Sequence, residues 1–396
     1  MSPDAGLVAR MLGVEVALLG ALEDVAGAPS GVTDGLAAVP WVDAALRGAV
    51  GEAGYDPDVL TAEAAVDGNL VIPLVRRVRA EATGDVAAWF HHGTTSQDVL
   101  DTALVLLARD VLADVATSLG ELGRSLARLA DEHRRTAVVA RTLTQQAQPT
   151  TLGFKVAGWL AGVTDALVRV TQVRASLPVS LGGPVGTTAA FGDRGPQVVA
   201  ALAQRLGLAE PTMSWHTRRA PVLDVGHALT VTAGAVGTIA ADVLVMAQTE
   251  IGEVQEGTGG PSSSMPHKRN PAASVLVVAA ARQVPALVSV LGASAVAENE
   301  RPAGAWTAEW RPLRSALDLV HEATARTAAL VADLQVDRAA MAQHVRTLSM
   351  LIETDPDVSA ATDPWVDRAL AAWRSAGAAL PREGTWTAYR PLGESP

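Results

Sequence analysis

Gly259-Gly260-Pro261-Ser262-Ser263-Ser264-Met265-Pro266-His267-Lys268-Arg269-Asn270-Pro271 is the stretch on which the reading of this chain turns. Small residues and three prolines disfavour a helix here and predict a mobile surface loop. Three hydroxyls, a histidine, a lysine, an arginine and an asparagine fall close together in it. Lys268 can neutralise a carboxylate as a point charge, and Asn270 can hydrogen-bond to one. A serine beside such donors can exchange a proton once loop closure removes water. A solvated connector would have the same composition, and composition alone does not separate the two.

The segments on either side narrow the fold. Residues 222–251 and 272–297 read as long helices rich in Ala, Val, Gly and Leu, with few charges on any face. Such helices need burial all round, which predicts helices pooled between subunits of an oligomer. Residues 229–247 are apolar for about one bilayer span. Asp242, threonines and glycines interrupt the segment, and Gln248 and Glu250 follow it, so a helix buried among helices is expected and no membrane.

The 396 residues suffice for a large core and two or three domains. Hydrophobic residues make up 49% but aromatics only 4%, which favours packed helices over aromatic-rich sheets. The net charge of −11 argues against nucleic acid as a partner, so local cations would have to hold an anionic substrate. With no cysteine, disulfides and thiolate chemistry are excluded, compatible with a reducing cytoplasm. Met1-Ser2-Pro3-Asp4 lacks the basic and apolar regions of a signal peptide.

Toward the N-terminus, residues 7–26 have helical spacing, Gly54 and Pro57 break residues 41–65, and Gly68-Asn69 reads as a turn before a helix. His91-His92-Gly93-Thr94-Thr95-Ser96-Gln97-Asp98 then precedes a helix over about 99–129. Thr95, Ser96 and Asp98 have a structural use as caps. The same place is an anion site, and the histidines beside it can move protons near neutral pH. Adjacent histidines without carboxylates do not make a metal site. Arg141-Thr142-Leu143-Thr144-Gln145-Gln146-Ala147-Gln148-Pro149-Thr150-Thr151 is a polar run between helices that either faces solvent or lines a polar cleft. Residues 152–177 read as a helix. The glycine-rich turn at 181–187 lacks the spacing of a phosphate cradle. In Trp215-His216-Thr217-Arg218-Arg219 one arginine can clamp a carboxylate. Residues 299–310 close the helix after the loop, residues 313–334 are helical again, and one more helix is expected near 364–377.

The run from Ser262 to Pro271 resembles the signature loop of the fumarase/aspartase superfamily, Gly-Ser-Ser-x-Met-Pro-x-Lys-x-Asn-Pro. The similarity covers about residues 4–352 and is nearest the 3-carboxy-cis,cis-muconate cycloisomerases, through His91 to Thr102, Arg141 to Gly153, Trp215 to Arg219 and Arg301 to Trp310. The resemblance implies an all-α fold, a central up-and-down helix bundle with smaller helical domains at its ends. It implies an N-terminal domain over 1–98, the bundle over 99–335 with the signature loop at 257–271, and a shortened C-terminal segment over 336–396. It implies a cytoplasmic homotetramer, with active sites where three subunits meet, and a place in the protocatechuate branch of aromatic degradation.

Carried over by position, Ser262 resembles the mobile catalytic serine, and His91 a histidine used in adenylosuccinate lyases. Lys268 and Asn270 resemble binders of the carboxylate that becomes the aci-carboxylate intermediate. Thr95, Ser96 and Gln97 resemble the pocket for a second carboxylate, Gln145 a substrate-contacting glutamine, and Arg219 and Arg301 arginines near the cleft. The implied reaction takes a small di- or tricarboxylate and needs neither metal nor organic cofactor. There are departures. Pro261 replaces a glycine. Leu143 stands for a catalytic histidine of adenylosuccinate lyases and Trp310 for their phosphate-binding arginine, against a nucleotide substrate. Gln146 and Thr307 fill places where cycloisomerases often show histidine. A lyase acting on a substituted succinate, and an inactive assembly protein of the same fold, are the alternatives.

Overall fold

The computed structural model describes residues 3–261, 264–265, 268–352 and 357–378. Six helices come first: α1 (Pro3–Ala21), α2 (Val32–Ala37), α3 (Pro40–Leu46), α4 (Pro57–Asp67), α5 (Val71–Glu81) and α6 (Gly84–Trp89). Asn69 accepts the backbone N–H groups of Val71 and Ile72, so the Gly68-Asn69 pair is the turn that starts α5. α1 is apolar almost throughout and packs against the start of the bundle and its neighbouring helices.

The bundle is built from α7 (Ser96–Glu132), α8 (Leu152–Ser176), α10 (Ala220–Met246), α11 (Ala272–Ala293) and α12 (Ala305–Ala332), with the shorter α9 (Gly195–Leu206) packed on α1. α7 touches α8 and α12, and α10 and α11 close the ring. α7, α10 and α12 run one way and α8 and α11 the other: α10 and α12 both begin at Asp101, near the start of α7, through Arg219 and Trp306. At 37 residues α7 is roughly 55 Å long. α13 (Arg338–Ser349) and α14 (Ser359–Ala378) follow, and α14 lies along α8.

Three small sheets interrupt the helices. β1 (Ala137–Thr142) pairs antiparallel with β2 (Gln145–Thr151); β3 (Val254–Glu256) pairs with β6 (Leu334–Val336); β4 (Gly260–Pro261) pairs with β5 (Arg269–Asn270). The polar run after α7 is therefore a hairpin. Leu143 and Thr144 form its two-residue turn at φ 50° and 67°, the left-handed pair that a tight hairpin demands. α12 starts at Ala305, eight residues before the sequence reading, and continues through Pro312.

Among the described residues three helices are long and apolar enough to cross a membrane: residues 5–26, α10 and α11. Their burial differs. The apolar window is 83% buried in the first, 50% in α10 and only 22% in α11. α10 was expected to be enclosed by helices, and within one chain it is only half enclosed. On α11, Val275 and Leu276 are half exposed.

Candidate functional site

The loop before α7 is fixed by Asp98, a buried carboxylate. It accepts the N–H groups of Thr95 (3.1 Å), Gly182 (2.8 Å) and Gly183 (2.9 Å), with the Thr94 hydroxyl at 3.3 Å and His216 Nε2 at 2.6 Å. The amides of the glycine-rich turn are thus spent on Asp98, which accounts for a turn that resembles a phosphate cradle without being one. Gly93 is required where it stands: its φ is 70°, and a Cβ there would lie 2.4 Å from the Phe191 ring.

Thr95 and Asp98 form a capping box at the start of α7. Ser96 opens the helix half-buried, and its hydroxyl has no hydrogen bond among the described residues. Gln97 is buried and used at both ends. Its Oε1 accepts from Arg301 Nε at 3.0 Å, and its Nε2 donates to the His216 carbonyl at 2.9 Å. Arg219 lies behind this layer, held by Asp101 (2.7 and 3.1 Å) and by Glu309 (2.6 Å). Burial works against its charge, but the two carboxylates win and its pKa is raised. Burial pushes the Glu309 carboxyl up, partly offset by Arg219. In this arrangement Arg219 already clamps carboxylates, and they belong to the protein.

His91 completes this end. It is a non-glycine residue at φ 59°, and its Nδ1 lies 2.5 Å from Oε1 of Glu15 on α1. Glu15 is fully buried. Sequence reasoning missed it, although a lone carboxylate within Met11-Leu12-Gly13-Val14-Glu15-Val16-Ala17-Leu18-Leu19 was a readable signal. His92 makes tilted ring contacts with Trp89 and Phe191.

Gln145, Lys268 and Asn270 are at the other end. The hairpin closes onto the end of α7: Leu152 N–H donates to the Thr136 carbonyl, and Gly153 N–H to that of His133. Arg141 forks onto Glu253 with two 2.9 Å bonds, and His344 Nδ1 is 2.8 Å from the same carboxylate. Glu256 accepts the N–H groups of Ala273 and Ser274 and so caps the start of α11. The signature loop is therefore pinned at both feet, by Glu256 and by the pairing of Gly260 with Asn270. Lys268 is exposed at its base, its N–H bonded to the Met265 carbonyl at 3.0 Å, and Asn270 is half-buried. Gln145 is exposed, with one 3.3 Å bond to Thr144. Ser262 lies outside the described residues.

The structure thus gathers His91, Thr95, Ser96, Gln97, Arg219 and Arg301 at one end of α7. Gln145, Lys268 and Asn270 lie at the opposite end of the bundle, beyond α10, whose 27 residues span roughly 40 Å. Among the described residues of one chain the two groups do not meet. Among the described residues no cluster of His, Asp and Glu has the arrangement of a metal site.

A helical bundle with this loop at one end and the capped start of α7 at the other is the architecture of a fumarase/aspartase-type lyase. Residues 62–286 match the sequence model of the Lyase family, and the chain belongs to that family, within the fumarase/aspartase superfamily. It is 40% identical over 349 residues to a 3-carboxy-cis,cis-muconate cycloisomerase from Pseudomonas aeruginosa, covering 86% of this chain and 74% of the relative. It is 42% identical over 283 residues to a nitrosuccinate lyase from Streptomyces davaonensis, covering 68% of this chain and 60% of the relative. The crystal structure of 3-carboxy-cis,cis-muconate lactonizing enzyme from Pseudomonas putida superposes with a TM-score of 0.83 at 30% identity, covering 94% of this chain and 96% of that one.

Proposed function

We propose that this chain is a cycloisomerase, an intramolecular lyase that interconverts 3-carboxy-cis,cis-muconate and 4-carboxymuconolactone. The observation that carries this is the 40% identity over 86% of the chain to a curated cycloisomerase. In the lactonising direction a carboxylate oxygen adds across a carbon–carbon double bond. The electron pair moves toward the neighbouring carboxylate to give an aci-carboxylate, and a proton then adds at the α-carbon. The atoms balance with no oxidant, metal or organic cofactor. In the opening direction Ser262 takes that α-proton. Lys268 and Asn270 hold the carboxylate on which the aci-form builds charge, where fixed donors count most. Thr95 and Ser96 take a second carboxylate at the positive start of α7, whereas Gln97, expected to bind it too, is fully buried with both ends of its amide engaged and serves behind them by holding Arg301. Gln145 contacts the substrate, and His91 serves as a proton-handling group beside it. Arg301 supports the pocket through Gln97, and Arg219 through the Asp101 layer.

Because the two groups of residues lie at opposite ends of one chain, the working site is formed between protomers. The half-exposed apolar faces of α10 and α11 supply the contact, in a homotetramer whose bundles share a core. The N-terminal helices over 1–98, the bundle over 99–335 and the segment over 336–396 are its three parts, and the setting is the cytoplasm, in aromatic degradation. The first test is spectroscopic. Purified protein incubated with 3-carboxy-cis,cis-muconate should remove the ultraviolet absorbance of the conjugated diene, and an unchanged spectrum at high enzyme concentration rejects the reading. A second reading, a carbon–nitrogen lyase on a substituted succinate, is favoured by the 42% identity to nitrosuccinate lyase. It predicts a rise in fumarate absorbance from nitrosuccinate with no action on the muconate.

A further inference from the structure

Glu15 is the one charged residue in the run Met11 to Leu19, and it has no exposed surface. Its Oε1 is 2.5 Å from His91 Nδ1, while its Oε2 is buried with no hydrogen-bond partner. A carboxylate in that position is a poor structural choice. An apolar side chain of similar size would fill the space among α1's neighbours without a bare oxygen to desolvate. His91 is itself held in the left-handed region at φ 59°, a conformation that costs free energy for any residue but glycine. The ring is mostly buried, with 15% of its side chain exposed, and no described residue bonds its Nε2. Its neighbour His92 makes tilted ring contacts with Trp89 and Phe191, whereas His91 has a carboxylate on its Nδ1.

We propose that Glu15 is a positioning residue for the reaction: it binds the Nδ1–H of His91, which fixes the ring's tautomer and orientation and leaves Nε2 as the nitrogen available to the substrate. A carboxylate behind a histidine sets which nitrogen carries the proton, and the far nitrogen then works in one defined state. Glu15 touches no reacting atom and acts only through His91. The inference rests on the reading of His91 as part of the working site.

Two measurements test it separately from the choice of substrate. The first is solid-state nitrogen-15 spectroscopy of histidine-labelled protein, with the His91 signals assigned by their loss in His91→Asn. The wild-type protein should show a proton on Nδ1, and Glu15→Leu should abolish that preference. A wild-type ring protonated only on Nε2 overturns the proposal, whatever the substrate proves to be. The second is a double-mutant cycle on turnover. Glu15→Leu should fold, with an unfolding temperature equal to or above that of the parent, yet lose at least tenfold in kcat while KM changes less than twofold. In a His91→Asn background the same substitution should have no further effect. Unchanged kcat, or an equal loss with and without His91, overturns the proposal; if Glu15→Leu does not fold, Glu15→Gln replaces it with the same criteria.

Discussion

At the end of the bundle where α7 begins, nearly every polar side chain finds its partner within the chain. Asp98 gathers backbone amides and His216, Gln97 is bonded on both sides, and Arg219 sits between two buried carboxylates. At the end where α7 finishes, the fold fixes only the feet of its elements. Arg141 and Glu253 anchor the hairpin and Glu256 anchors the loop, while Gln145, Gln146 and Lys268 stand in solvent. The first end is largely fixed by bonds within its own chain. The second is a set of reaching parts with nothing in its own chain to reach. The difference teaches that folding of one chain settles the side chains at the first end and leaves those at the second presented to solvent.

The contrast predicts that substitutions at the two ends fail in different ways. The largest effect is expected from Arg219→Leu, which leaves Asp101 and Glu309 buried without their cation. It should lower stability by about 3–5 kcal/mol, the cost typical of an orphaned buried charge, read as a fall in the denaturant midpoint. A midpoint shift of a few tenths of a unit would mean that the layer behind the pocket is not rigid. Lys268→Met should do the opposite. Its unfolding temperature should match the parent, and kcat/KM should fall about 10²–10³-fold, as for loss of a donor to developing charge. A large loss of stability there would show that the loop is part of the fold's framework.

The smallest effect is set by pH. His133, buried at the base of the hairpin, has its pKa lowered by burial and by Arg338, against a weaker pull from Glu132. The unfolded chain therefore takes up a proton at a higher pH than the folded one. His133's share of stability is fully present above the ordinary histidine value and is lost as pH falls through the folded value. His133→Gln should flatten the slope of stability against pH below about 6.5, the ordinary histidine value, and an unaltered slope would assign it to other groups.

Much of this was legible in the sequence. The signature loop and the helix start at Thr95 carry enough chemistry in a row to be recognised. The charge-poor faces of α10 and α11 were legible as surfaces that need cover, and within one chain their apolar windows are only 50% and 22% buried. The hairpin was not legible. Leu143-Thr144 contains neither glycine nor asparagine, the usual marks of a left-handed turn, and its strands carry glutamines and threonines without apolar alternation. The sequence reading began this helix at residue 313, yet α12 starts at Ala305 and runs on through Pro312. Glu15 stood out as a lone carboxylate in an apolar run, but its pairing with His91 was not legible, because the two are 76 residues apart and meet only through packing.

The central claim is that the two ends work together only between protomers, and mixing two inactive variants tests it directly. Thr95→Val disables the pocket end and Lys268→Met the loop end. The two proteins are unfolded together in denaturant and refolded as a mixture. If the site is shared, some mixed oligomers contain an intact pocket facing an intact loop, and turnover well above that of either variant refolded alone should return. A mixture no more active than its parents, despite demonstrated exchange of subunits, would contradict the account.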